Sequence, residues 1–236
     1  MGTPRTCWTV IPAAGLGTRM GTGIPKQYMP LAGKTVLEHT LQRFTGIDAI
    51  KGLVVVLAAD DLYWQSLQLT SNTLIHTTIG GAERYQSVLN GLRYLEKMAD
   101  ADDWVLVHDA ARPCVRPADI KKLINATSLC VDGAILAMPV RDTMKRADAG
   151  NRITTTVSRD QLWHAQTPQI FPLGTLRAAL EKVVGQNMAV TDEAQAIEMT
   201  GLCPLMVEGH PDNIKITHPA DLSLAEIYLR QQETQL

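Results

Sequence analysis

Two cations, Arg19 and Lys26, follow a loop of small residues, Pro12-Ala13-Ala14-Gly15-Leu16-Gly17-Thr18, and Pro25 directly precedes the second of them. The loop leaves an apolar run, Trp8 to Ile11, that reads as a β-strand. Gly15 and Gly17 carry no Cβ, so backbone N–H groups there can close on phosphate oxygens. A polyphosphate in such a loop meets backbone donors on one side and fixed positive charge on the other. That combination suits nucleotide chemistry. Neither familiar glycine motif accounts for it: Gln27, not Ser or Thr, follows Lys26, and Met20 stands where the dinucleotide pattern needs a third glycine.

Three further segments carry groups suited to the same ligand. Gly80-Gly81-Ala82-Glu83-Arg84-Tyr85-Gln86-Ser87 offers glycine backbone and the Ser87 hydroxyl to a base edge. His108-Asp109-Ala110-Ala111-Arg112-Pro113 offers Asp109 to a metal–phosphate complex and Arg112 to a bidentate phosphate contact. Asn213-Ile214-Lys215-Ile216-Thr217 sets a lysine between isoleucines, in what reads as a short strand. Plainer roles stay open: Arg112 also suits a loop cap, and Lys215 the protection of an edge strand. Asp192-Glu193 suit a helix N-terminus, where the dipole favours anions. His108 reads as structural, and Cys114 has no neighbour that would make a thiol reactive.

These groups need a scaffold. Strands are expected at Leu53–Leu57, Leu74–Ile79, Trp104–Val107 and Ala134–Met138, alternating with helices over Val36–Phe44, around Val88–Leu95 and over Ala118 to about Leu129. That alternation implies one α/β domain over 1–236: a mostly parallel twisted sheet, Rossmann-like, with helices on both faces. Ligands of such sheets bind beyond the carboxyl ends of the strands, where all four segments emerge. The stretch from about 140 to 160 differs. Turn residues Asp148-Ala149-Gly150-Asn151 and the β-prone Thr154-Thr155-Thr156-Val157 predict a protruding hairpin arm, rich in cations, that is marginal without a partner surface.

Composition narrows the class. The 236 residues are 45% hydrophobic with a formal net charge of −2 and 5% aromatic, so neither a nucleic-acid surface nor a membrane span is expected. Cys7, Cys114, Cys130 and Cys203 form no C-x-x-C pair, and no apolar leader precedes the first strand, so a cytoplasmic setting is expected. Gly2 formally fits a short myristoylation pattern, which an ordinary residue meets equally well.

PAAGLGTRM with PKQY, GGAERYQS, VHDAARP, RDTMKR, VSRDQLWHAQTPQIF, TDEA and VEGHPDNIKIT occur in order from about residue 8 to 230. This series resembles the 2-C-methyl-D-erythritol 4-phosphate cytidylyltransferase family. The resemblance implies transfer of a cytidylyl group from CTP to the sugar-alcohol phosphate, with release of pyrophosphate, in non-mevalonate isoprenoid synthesis. It implies Arg19 and Lys26 as catalytic cations, and Arg159, Lys215, Asp109, Arg112, Thr143 and Thr191 as groups that position the acceptor. Nucleotide contacts would come from Pro12, Ala13, Ala14, Gly15, Gly17, Gly81, Ser87 and Ala110. The family often carries an acidic residue where this chain has Ala82. The resemblance also implies Mg²⁺ or another divalent cation carried on the CTP phosphates, near Asp109, and a homodimer in which Thr143 and Arg159 act across the subunit boundary. A related enzyme acting on ribitol 5-phosphate would share the CTP loop. A nicotinamide dehydrogenase is disfavoured by the missing third glycine and the lack of a Tyr-x-x-x-Lys pair, and a mere nucleotide-binding module by the gathering of five cations.

Overall fold

The structure is a computed structural model that describes residues 6–15 and 23–234. Gly2, Gly17 and Arg19 lie outside the described residues. Seven strands form the central sheet: β1 (Cys7–Pro12), β4 (Ile50–Leu57), β5 (Ile75–Ile79), β6 (Trp104–Val107), β7 (Ala134–Pro139), β10 (Trp163–Pro172) and β11 (Leu205–Glu208). Their order is β11-β7-β10-β6-β1-β4-β5, and β10 alone runs against its neighbours. The chain builds β1, β4 and β5 outward in one direction, then returns to lay β6 on the other side of β1. That reversal opens a crevice at the carboxyl ends of β1 and its neighbours.

The continuous apolar run of β4 is explained by burial on both faces. Val55 and Leu53 pack with Leu37, Leu41 and Phe44 of α1 (Val36–Thr45) and Ile120 and Leu123 of α3 (Pro117–Ala126). Val54 and Val56 face the other way, onto Val88, Leu89 and Leu92 of α2 (Arg84–Leu95) and near α4 (Leu173–Gly185) and α5 (Glu193–Glu198). Helix α1 begins where it does because Thr35 and Glu38 form a reciprocal capping box. Helix α6 (Pro219–Glu233) closes a third apolar cluster by packing Ala225 and Leu229 against Cys114 and Ile216.

Two expectations fail here. Asn213–Thr217 is not a strand: Ile216 donates to the carbonyl of Ala111, and no ladder forms. Its alternating isoleucines serve instead to anchor an extended loop, with Ile216 fully buried. Helix α3 stops at Ala126, because Leu129 beyond it has no core to face and is 80% exposed. The hairpin forms as expected, with β8 (Met144–Ala147) paired antiparallel to β9 (Ile153–Val157). It leaves the carboxyl end of β7 and returns into β10, with Val140 N–H bonded to the Leu162 carbonyl. A two-residue ribbon, β2 (Pro30–Leu31) with β3 (Lys34–Thr35), precedes α1.

Helix α2 approaches the sheet most closely at Gly91, where a Cβ would lie 2.6 Å from Val10 Cγ1 and 3.0 Å from Val56 Cγ2. Both valines are fully buried in β-strands and have nowhere to move. Gly91→Ala is therefore expected to destabilise the fold by about 1–3 kcal/mol despite its better helix propensity, measured by urea unfolding.

Candidate active site

The start of the loop after β1, Ala13 to Gly15, is held by hydrogen bonds from the protein itself. Ala13 N–H donates to the Val56 carbonyl of β4, and the buried Gln27 amide donates to the carbonyls of Ala13 (2.6 Å) and Gly15 (3.1 Å). Gln27 thus ties the loop to the short turn Lys26–Tyr28 that carries Lys26. The loop after β5 touches it at Gly80, whose missing Cβ would sit 2.7 Å from the Ala14 Cβ and from Ser87 Oγ. Ser87 is buried and its hydroxyl holds its own loop, accepting from Gly81 N–H at 3.1 Å and donating to the Glu83 carbonyl. Ser87 also lines the cavity described below, and one lone pair of its hydroxyl oxygen is left by these two bonds.

The loop after β6 is built on His108 and Thr167. Asp109 N–H donates to Thr167 Oγ1 (3.1 Å), and Thr167 Oγ1 lies 3.0 Å from His108 Nδ1. His108 Nε2 lies 3.0 Å from the Arg112 carbonyl. A carbonyl only accepts, so Nε2 carries the proton and Nδ1 accepts from Thr167: a neutral imidazole satisfied at both nitrogens. Complete burial pushes its pKa down to about 4. His108 is therefore a structural strut.

Asp109 is the centre of charge. Arg84 Nε reaches its Oδ1 at 2.9 Å, Lys215 Nζ its Oδ2 at 2.8 Å, and Arg112 Nε stands 3.5 Å from Oδ2. Burial alone would raise the carboxyl, but Arg84, Lys215 and Arg112 together hold it well below the usual carboxylate range. Arg84 extends the network: its terminal nitrogens grip Glu193, fully buried at the start of α5, at 2.7 and 3.1 Å. Burial opposes the guanidinium charge, yet Glu193 and Asp109 raise its pKa. Arg112 also donates to the Asn213 carbonyl at 2.7 Å, so it braces the Lys215 loop while facing ligand space.

Two cavities meet at this network. One is lined by Pro12, Ala13, Ala14, Gly15, Lys26, Gly81, Ala82, Ser87 and Ala110. The other is lined by Arg112, Gln166, Thr167, Gln169, Thr191 and Asp192. Arg84, Asp109 and Lys215 line both and form the wall between them.

A family model for 2-C-methyl-D-erythritol 4-phosphate cytidylyltransferase matches residues 7–231. The chain belongs to this family. It is 51% identical to the Tolumonas auensis cytidylyltransferase, covering 97% of this chain and 99% of that one. The Aeromonas hydrophila cytidylyltransferase is 52% identical over 94% of this chain and 89% of its own. The crystal structure of the Francisella tularensis cytidylyltransferase superposes with a TM-score of 0.82 at 37% identity, covering 94% of this chain and 99% of that one. That of Thermus thermophilus gives 0.77 at 31% identity, over 95% and 99%.

Family membership sets the expected site residues against their places. The described residues of the nucleotide set, with Lys26, gather in the first cavity, and Arg112 and Thr191 in the second. Thr143 and Arg159 do not join them. Both are exposed at the base of the arm, where Arg159 donates to the Arg141 carbonyl. Asp192 caps α5 by accepting from Gln195 N–H, as a helix-start anion should, but Glu193 turns inward to Arg84. Both oxygens of Asp109 meet cations, Arg84 at Oδ1 and Lys215 and Arg112 at Oδ2. Among the described residues no cluster of three His, Cys, Asp or Glu could hold a metal ion.

The neutral His108 makes stability depend on pH. The unfolded chain takes up this proton near pH 6.5, whereas the folded chain resists it to about 4, so stability falls as pH falls across that window. The loss should reach about 3 kcal/mol by the bottom of the window. Asp109 acts lower down, because a depressed carboxylate is lost only below its ordinary value of 3.8. Urea unfolding at about pH 7 and about pH 4.5 should show a flatter pH dependence for His108→Gln than for the native chain.

Proposed function

We propose that the first cavity receives CTP, the second receives 2-C-methyl-D-erythritol 4-phosphate, and reaction occurs across the wall that they share. The chain is a cytidylyltransferase of isoprenoid biosynthesis, joining these substrates to give 4-diphosphocytidyl-2-C-methyl-D-erythritol and pyrophosphate. The observation that carries the division of roles is the shared wall of Arg84, Asp109 and Lys215. It lies where an acceptor phosphate oxygen would face the α-phosphorus of a nucleotide held by the glycine loop.

In that step one phosphate oxygen forms a bond to the α-phosphorus while the bond to the pyrophosphate oxygen breaks. The acceptor phosphate is ionised at neutral pH, so no base is needed, which agrees with a His108 that has both nitrogens engaged. The barrier lies in bringing two anions together and stabilising charge at phosphorus. Lys26 at the nucleotide cavity, with Arg19, supplies positive charge to the α-phosphate; Lys215, Arg112 and Thr191 orient the acceptor. Mg²⁺ would be carried by the triphosphate, since it binds through a few carboxylates and substrate phosphates more readily than in an all-protein cage. Within this site Asp109 orders cations, and Ser87 shapes the loop that contacts cytosine.

The arm supports a homodimer. Its strands are almost wholly exposed, including Ile153 at 67%, and such a ribbon gains from a partner surface. Thr143 and Arg159 would then complete the neighbour's acceptor cavity. None of the four cysteines is in a disulfide, and no described helix is long and apolar enough to cross a membrane. Both features suit a cytoplasmic enzyme.

Pyrophosphate release with CTP and Mg²⁺ tests the acceptor. Turnover is expected with methylerythritol 4-phosphate and not with ribitol 5-phosphate; the reverse result would move the chain to another acceptor. Lys26→Ala should lower kcat by about 10²–10³, as loss of one preorganised charge does elsewhere. Mixing Lys26→Ala with Arg159→Ala subunits should regain activity that neither has alone. Mixed dimers without that gain would place Arg159 outside the neighbour's site.

A further inference from the structure

Asp109 has two oxygens and three cations around it, and their allocation is uneven. Arg84 takes Oδ1 through Nε only, at 2.9 Å, and Lys215 takes Oδ2 at 2.8 Å. Left to itself, a guanidinium prefers a carboxylate through two parallel bonds, whereas an ammonium is a point charge with no such preference. In open competition Arg84 would claim both oxygens of Asp109. It does not: the paired bonds to Glu193, at 2.7 and 3.1 Å, fix where the guanidinium sits and how its plane is turned, and in that pose Nε alone is hydrogen-bonded to Asp109.

Glu193 is well placed to enforce this. It is fully buried, lines neither cavity, and sits in the first turn of α5. That turn is anchored from β10: Gln169 donates to Asp192 Oδ2 at 2.9 Å and accepts from Ala194 N–H at 2.8 Å. We propose that Glu193 is a positioning residue for Lys215. It acts through Arg84, limiting the guanidinium to one oxygen of Asp109 and reserving the other for the lysine. The proposal rests on the reading above, in which Lys215 faces the reacting phosphates.

A simple counter-charge role makes the opposite prediction. Arg84, Arg112 and Lys215 stand against Asp109 and Glu193, so neutralising Glu193 leaves the wall more positive. On charge alone, anionic substrates should then bind more tightly. If Glu193 positions Lys215, the acceptor is used less well instead.

The test is Glu193→Gln, read in two ways. Steady-state pyrophosphate release should show kcat/KM for methylerythritol 4-phosphate falling by about 10- to 100-fold, with the KM for CTP changed by no more than about twofold. A lowered acceptor KM, or equal losses for both substrates, would overturn the proposal. Trace acetylation without substrates, quantified by peptide mass spectrometry, should show Lys215 several-fold more reactive and other lysines unchanged, since the amine is no longer held by Asp109. Unchanged Lys215 reactivity would overturn it whatever the kinetics. The labelling also separates two failures: raised reactivity with no turnover on this acceptor in the native chain would leave the positioning intact and refute the substrate reading. Should Glu193→Gln not fold, Glu193→Asp keeps the charge but reaches one guanidinium nitrogen only. Its Lys215 should gain reactivity in part, and an unchanged value would again overturn the proposal.

Discussion

A carboxylate removed from water and surrounded by three cations is the interaction on which the site depends. Burying Asp109 without partners would favour its protonated form, and burying Arg84 or Arg112 without it would leave positive charge unsolvated. Together they are mutually required. Asp109 is held from three directions: by β6, which delivers it to the sheet edge; by Thr167, which accepts its N–H; and by the His108–Arg112 link, which closes the loop beneath it. The remaining members of the network come from four different parts of the chain. β10 brings Thr167, α2 brings Arg84, α5 brings Glu193, and the segment before α6 brings Lys215. The antiparallel insertion of β10 beside β6 is what sets Thr167 against Asp109.

Much of this was legible in the residues. The buried strands announce themselves as apolar runs, and their helices as stripes, because burial on two faces or one imposes those patterns directly. The glycine loop, Asp109, Arg112 and Lys215 stood out because each breaks such a pattern at its end. Arg84 and Glu193 escaped for a physical reason. They are adjacent in space but 109 residues apart, and each occupies the start of a helix, where a charged residue is unremarkable. A long-range ion pair leaves no period in a sequence. Lys215 was misplaced on a strand for a related reason: alternating isoleucines mark alternating burial, which an anchored extended loop produces as readily as a sheet. Gln27 was equally silent, although a polar residue between Lys26 and Tyr28 that proves to be 4% exposed is a structural clip.

The chemistry explains why the protein invests in held charges instead of proton relays. A phosphate nucleophile arrives ionised, so nothing must remove a proton from it. What the enzyme has to supply is geometry and a field already oriented toward phosphorus. A neutral His108, locked between Thr167 and the Arg112 carbonyl, is the kind of histidine such a site tolerates, because it contributes shape without titrating near neutrality. The same reasoning accounts for the short clips at Gln27 and Ser87. They hold the Ala13–Gly15 and Gly81–Glu83 backbone in place, and under the proposed division of cavities that backbone need not be ordered at the expense of nucleotide affinity.

Under the proposed division of cavities, a carboxylate pair in the wall between two anionic substrates looks counterproductive, since both Asp109 and Glu193 repel what must be bound. Raw affinity would be served better by cations alone. Cations alone would also repel one another, and flexible lysine and arginine side chains would reach for solvent or for whichever phosphate came first. Binding energy gathered that way stabilises the bound substrates as much as the transition state and adds little to rate. With Asp109 and Glu193 present, Arg84 and Lys215 are fixed before either substrate enters, at the cost of a weaker field. The geometry is that of a site selected for placing charge, with part of the attraction given up to keep it in place.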